Sequence, residues 1–226
     1  MKTTVQTGTL RLDDIAIVYQ TFQGRYVDAM PALRADNKTA LPVRGQMRQR
    51  LQVLNLGKED LIEAWWENYF DSPDGVACKG DEVKYVPNAQ LLLDITPEAK
   101  LSNGALVLTE KQYDALQGKT FSRKELEKLG GNNGLTKNQV LKHPVWQAVA
   151  GDILEQYADA HFKRYNAKTL MGVYFSSLRD KPTIRALALS NGGNHWSHLF
   201  GGRYLDGSYA RLVGVQSGAL EERVQK

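Results

Sequence analysis

Two short stretches near the start of the chain, Val5 to Leu12 and Ile15 to Phe22, carry apolar residues in the manner of strands, with Asp13-Asp14 as a turn or bulge between them. Gly24, Pro31 and Pro42 then break the pattern and predict a loop running to about residue 43. Loops of that length in compact domains are usually functional or disordered. From Arg44 the period becomes helical: Met47, Leu51 and Leu54 fall at i, i+4 and i+7, with Arg44 and Arg48 one turn apart on the flank of that stripe. After Gly57 a second helix is expected over Lys58 to Phe70, and its Leu61, Ile62, Trp65, Trp66 and Tyr69 read as core in preference to a ligand platform.

Residues 71–109 read as loop and short strands, with Leu91 to Ile95 and Ala105 to Leu108 the best strand candidates. Capping boxes at Thr109 with Gln112 and at Ser122 with Glu125 predict two short helices, and Gly130-Gly131-Asn132-Asn133-Gly134 links onward. The longest helix is expected from Pro144 to Tyr165, with His161 on its buried stripe as a core histidine. Leu170 to Phe175, Thr183 to Ser190 and Tyr209 to Val215 read as strands, the last after a Gly-rich loop. This order predicts an α+β fold with a ferredoxin-like or RRM-like core of residues 1–55 and 143–226, interrupted by a large, mostly helical insertion over 56–142.

At 226 residues the chain is long enough for one large domain, and 42% hydrophobic residues support a packed core. The single cysteine, Cys78, rules out an intrachain disulfide, fits a reducing compartment, and with only four histidines argues against structural zinc. No apolar run approaches the roughly 18 residues of a membrane span, and the first residues lack a signal-peptide core. A cytoplasmic location without membrane contact is the expectation.

The net charge of +4 is concentrated: Arg25, Arg34, Lys38, Arg44, Arg48 and Arg50 face only Asp28 and Asp36 between residues 25 and 50, while the other 200 residues balance. Such a segment suggests an anionic partner, or simply a solvated basic surface. Within it, Gly45 lets a backbone approach closely and the first turn of a helix offers free N–H groups to a phosphate. Arg44 and Arg48 are suited to clamp that phosphate.

On these residues the sequence resembles the RAMP superfamily of CRISPR effector proteins, in particular the backbone subunits that polymerise along a guide RNA. Asp28, Pro42 and Arg44-Gly45-Gln46-Met47-Arg48 match that family's early loop and basic-Gly element, and Leu199-Phe200-Gly201 followed by Ala210-Arg211-Leu212-Val213 matches a later one. The Gly element is shorter than the family's, and the distance from Gly45 to Leu199 requires the insertion. The resemblance implies an RNA-binding subunit of a ribonucleoprotein complex in antiviral defense. Its partners would be guide RNA, target nucleic acid, and other effector subunits or copies of itself. Arg25, Arg34, Lys38, Arg44, Gly45, Arg48 and Arg50 would lie along nucleic acid, and Asp28 would be the catalytic candidate if the subunit cuts, with Mg²⁺ as cofactor. A turn aspartate making a local hydrogen bond is the competing reading of Asp28.

Asp74 with Glu82 and Lys84 imitates the carboxylate–carboxylate–lysine set of a stand-alone metal-dependent nuclease, although only eight residues separate the two acids. His195 and His198 could serve as acid or base in RNA cleavage, and Trp196 or Phe200 could stack a base. Gly192-Gly193 and Gly201-Gly202 lack the lysine and hydroxyl residues of a nucleotide-hydrolase loop. A protein-interaction module without nucleic acid is the third reading, and whether the chain is an enzyme stays open at this level.

Overall fold

A computed structural model of the chain describes residues 3–12, 15–129, 134–175, 181–190 and 197–216. The Asp13-Asp14 turn and Gly130 to Asn133 of the Gly-rich link lie outside them. Strands β1 (Thr4–Leu12) and β2 (Ile15–Gly24) form an antiparallel hairpin with Thr4 opposite Gln23 and Leu12 opposite Ile15. The loop expected next is instead largely helix, α1 (Tyr26–Ala35), with Pro31 inside it. Tyr26, Met30 and Leu33 fall at i, i+4 and i+7 and are all buried. Burial of that stripe outweighs the one backbone hydrogen bond a proline removes.

β3 (Lys38–Ala40) leads to α2 (Val43–Leu56), which ends at Gly57 in the left-handed region, and to α3 (Glu59–Trp66). The helix expected as far as Phe70 stops short because Phe70 opens β4 (Phe70–Lys79). Then come β5 (Glu82–Val86), a short helix α4 (Gln90–Leu93) where a strand was expected, β6 (Leu101–Ser102) and β7 (Ala105–Val107). The Thr109–Gln112 capping box opens α5 (Glu110–Ala115). After β8 (Lys119–Ser122), the Ser122 hydroxyl accepts from the Glu125 backbone at the start of α6 (Arg123–Leu129). A further capping box, Thr136 with Gln139, opens α7 (Lys137–Lys142).

The single long helix expected over 144–165 is two helices, α8 (Pro144–Ala150) and α9 (Leu154–Tyr165), joined by a 3-10 turn at Gly151–Ile153. Gly151 has φ of 57°, and a Cβ there would sit 2.1 Å from the Arg44 guanidinium. That left-handed backbone strains any residue with a side chain, whereas the Arg44 guanidinium is the far end of a flexible side chain and could give way. The chain closes with β9 (Gly172–Phe175), β10 (Thr183–Leu189), β11 (Ser197–Gly201) and β12 (Ala210–Gln216).

The main sheet runs β1-β2-β12-β4-β10-β11-β9. The ferredoxin-like or RRM-like core is therefore corrected. Its pattern needs a helix between the first two strands, whereas β1 and β2 pair directly and the late strand β12 returns beside β2. β4 lies between β12 and β10, antiparallel to β10 and parallel to β12. Its far half pairs with β5, which in turn pairs with β8. Alternate positions feed two cores: Leu187 and Val213 join α2, α3, α8 and α9 on one face, and Ala186 and Leu212 join α1, α4 and α5 on the other.

The first core encloses Arg50, which is fully buried. Its guanidinium donates to the carbonyls of Trp65 at 2.9 Å, Asn68 at 2.8 Å and Ser190 at 2.9 Å, and to the Tyr157 hydroxyl at 3.0 Å. Nε2 of His198 lies 2.9 Å from the Tyr157 hydroxyl and 3.4 Å from Arg50 Nη1. His161 stands edge-on to His198 with ring centroids 4.2 Å apart, and neither of its nitrogens has a hydrogen-bond partner. Burial, with the charges of Arg50 and Arg164 adding to it, pushes its pKa down to about 3.

Arg50→Lys should lower stability by about 3 kcal/mol, because an ammonium cannot span three carbonyls and leaves buried acceptors unpaired. Thermal unfolding should register this as a fall of roughly 6–12 °C. For His161, the unfolded chain takes up a proton near the ordinary 6.5 while the folded one resists until about 3, so its contribution is complete above pH 6.5 and lost on acidification. Relative to wild type, His161→Phe should therefore gain about 1.4 kcal/mol per pH unit between roughly pH 6 and 4, measured by denaturant titration. The difference should be constant above pH 7.

Candidate functional site: an aromatic and arginine groove

The sheet opens where β4 and β10 lose register. Ala186 pairs with Gly75 and Ala188 with Asp71, so Ser72 to Asp74 loop out opposite Leu187 alone. The Ser72 hydroxyl donates to the Leu187 carbonyl, and Asp74 accepts from the backbone N–H groups of Val43 at 2.8 Å and Asn88 at 2.9 Å. Burial raises the Asp74 carboxyl against those two bonds. Beside the irregularity lies a groove of about 470 Å³. Asp71 lines it at 1% exposure, with Oδ2 accepting from the Arg211 backbone at 2.8 Å and Oδ1 without a hydrogen-bond partner. Burial pushes this carboxyl up to about 6, opposed by the charge of Arg203 and the Arg211 N–H.

One wall is the parallel pair β9 and β11, whose register sets Tyr174 beside Phe200 with rings stacked at 5.0 Å and 12°. A Cβ on Gly202 would come 2.7 Å from Tyr174 and 2.9 Å from Phe200, so the chain passes close to the stack only as glycine. The other wall is the turn after β11. Arg185, projecting from β10 and 4% exposed, donates to the carbonyls of Arg203 at 2.9 Å and Asn103, and its charge sits 4.9 Å from the Tyr204 ring. Arg203 lies 4.0 Å over Tyr69 and 3.7 Å from Asp71 Oδ1. Tyr204 and Tyr209 stand at the rim, 59% and 72% exposed.

The residues expected along nucleic acid are placed elsewhere. Arg25 is bonded bidentately to Asp28 at 2.7 and 2.8 Å within α1, and that pairing holds the Asp28 carboxyl below its ordinary range. Arg34 pairs with Asp94, and Lys38 lies partly buried on β3. Arg44 and Arg48 converge on Asp152 at 3.8 and 3.6 Å, exposed pairs of little energetic weight. A Cβ on Gly45 would meet Leu41 at 3.2 Å, so close packing already accounts for the glycine. Arg50 is interior. α1 and α2 cover opposite faces of the sheet, so Arg25 and Arg34 are not gathered with Arg44 and Arg48.

Asp74 is held in the loop-out, whereas Glu82 opposes Lys79 at the far end of the β4–β5 hairpin, and Lys84 donates to the carbonyls of Tyr113 and Leu116. His198 is buried beneath the sheet, and His195, Trp196 and Gly192-Gly193 lie outside the described residues. Among the described residues, no three His, Cys, Asp or Glu side chains gather as a metal site. No helix among them is long and apolar enough to cross a membrane. Sequence reasoning missed Tyr26, Asp71, Tyr174, Arg185, Arg203, Tyr204 and Tyr209. The one legible signal was the run of Arg and Tyr among the glycines of residues 201–211.

No family model and no curated protein matches the chain. A solved structure described as the accommodation of massive sequence variation in Nanoarchaeota by the C-type lectin fold matches with a TM-score of 0.70 at 18% identity, over 91% of this chain and 100% of that one. The chain therefore has a C-type lectin fold. This overturns the resemblance to RAMP-superfamily CRISPR subunits, and the antiviral, ribonucleoprotein and nuclease expectations lose the family that implied them. The motifs behind it are short and sit on different elements: Arg44 to Arg48 opens α2, and Leu199 to Gly201 is β11.

Arg185→Met should loosen the Gly202–Tyr204 turn by leaving its carbonyls unpaired. Amide hydrogen exchange at residues 203–209 should quicken at least tenfold while that of α9 is unchanged.

Proposed function

We propose that this chain is a recognition module without chemistry of its own, and that its groove docks a segment of a partner protein. The observation that carries the reading is the groove's composition: two exposed tyrosines at the rim, a stacked aromatic wall, and Arg203 over a buried carboxyl. Tyrosine and arginine are the side chains that dominate protein–protein binding energy, the former because its large amphipathic surface is ordered at small entropic cost. Arg185 and the glycine beside the stack pre-order the turn that presents them, which lowers the cost of association. Tyr204 and Tyr209 are exposed at the rim of a turn that the buried Leu205 and Ala210 anchor to the second core. The structural neighbour's accommodation of sequence variation supports the same use of the fold here.

Panning a displayed peptide library on the immobilised protein tests this, with labelled single-stranded RNA as the competing ligand. Selected peptides should bind the wild type and lose about tenfold or more in affinity, at least 1.4 kcal/mol, with Tyr204→Ala or Tyr209→Ala. RNA binding at low salt that Arg44→Ala/Arg48→Ala abolishes, with the tyrosine variants silent, would overturn the reading in favour of nucleic acid.

A further inference from the structure

We infer that the groove seats a carboxylate of the partner, held between the Arg203 guanidinium and the Asp71 carboxyl group, with its apolar flank against the Tyr174–Phe200 stack. The inference rests on the recognition reading above and names the chemistry of what is recognised. Asp71 Oδ2 is occupied by the Arg211 N–H, whereas Oδ1 and Arg203 Nε face one another at 3.7 Å, too far to bond, and neither has a hydrogen-bond partner. Buried polar atoms left unpaired are costly. A carboxylate resolves both: one oxygen accepts from Arg203, and the other accepts the proton of Asp71, two carboxyl groups then sharing one proton.

Charge selects the same ligand. Among the described residues the groove is lined by Arg185 and Arg203 against Asp71, and a cation would meet that excess. The rings best placed to receive a cation, Tyr69 and Tyr204, already carry the guanidinium groups of Arg203 and Arg185. Among the described residues, the groups facing the Asp71 carboxyl are Arg203 from the turn, the Arg211 backbone N–H from β12, the backbone N–H of Asp71 itself and the Tyr26 hydroxyl from α1, which is itself turned to the Ser72 carbonyl at 3.0 Å. Burial keeps the Asp71 proton to about pH 6, so the site fills most readily in mild acid. Oδ1 and Nε are shielded from solvent, and Arg203, whose side chain is 28% exposed, is the group that swings to admit the ligand.

The test is an NMR titration of the labelled protein with benzoate, benzylamine and benzamide at about pH 5.5 and pH 7.5. Benzoate stays ionised throughout and should shift the resonances of Tyr174, Phe200 and Arg203, at least tenfold more tightly at the lower pH. Benzylamine and benzamide should not. Asp71→Asn should bind benzoate equally at both pH values, since the amide donates where the acid did and its carbonyl still accepts from Arg211. Arg203→Gln, at a partly exposed position that tolerates change, should lose benzoate and decides the matter if the Asp71 variant fails to fold. Benzoate binding that ignores pH, falls outside the groove, or is matched by the amine or the amide overturns the proposal. Groove-dependent peptides without an acidic residue overturn it too and leave the recognition reading standing. Failure to select any groove-dependent peptide, with benzoate bound as described, sinks that reading alone.

Discussion

A central strand that buries two carboxylates and a hydroxyl in five residues, from Phe70 to Asp74, is the constraint around which the rest of this structure is arranged. Polar groups taken out of water must be paired. Here the partners come from the backbones of elements far apart in sequence: Val43 at the head of α2, Asn88 in the turn before α4, Leu187 in β10 and Arg211 in β12. Gln46 and Tyr26 add bonds to the carbonyls of Asp71 and Ser72, tying in helices from both faces of the sheet. Removing the Asp74 carboxylate would leave donors unpaired both at the head of α2 and in the turn before α4.

The same segment supplies the groove with Asp71, and the walls around that carboxyl are Tyr174, Phe200 and the turn that Arg185 holds. Rigidity on one side and a loosely paired carboxyl on the other suit a surface that discriminates between partners. Arg50 plays the corresponding part beneath the sheet, joining the ends of α3 and β10 to α9 through carbonyls and a tyrosine, without a carboxylate. A guanidinium serves there because its planar fork stays charged and reaches several acceptors at once.

Asp28, Asp74 and Glu82, the carboxylates expected to cut, lie apart for reasons that are themselves structural. Asp28 is neutralised by Arg25 one turn away, Asp74 caps α2, and Glu82 lies at the opposite end of its hairpin. Fold likeness at 18% identity carries architecture and nothing chemical. What supports recognition is therefore the groove's own side chains.

What the sequence determined by itself was whatever depends on neighbours along the chain. The β1–β2 hairpin, the Met47–Leu51 stripe of α2, the Thr109 capping box and the runs that became β10 and β12 are all set by interactions within a few residues, and all were legible. α1 was read as loop because Pro31 and its charges hid the spacing of Tyr26, Met30 and Leu33. β4 was read as loop because Asp71, Ser72 and Asp74 look solvent-bound until distant backbone groups pair them. The break at Gly151 rests on a positive φ that the apolar stripe of residues 144–165 does not report. Tertiary structure alone decided the sheet order, the burial of Arg50, and the assembly of Tyr26, Asp71, Tyr174, Arg185 and Arg203 into one groove. Local patterning reports which face a side chain takes, but only the folded chain reports which partners satisfy a buried charge, and here those partners define both the fold and the site.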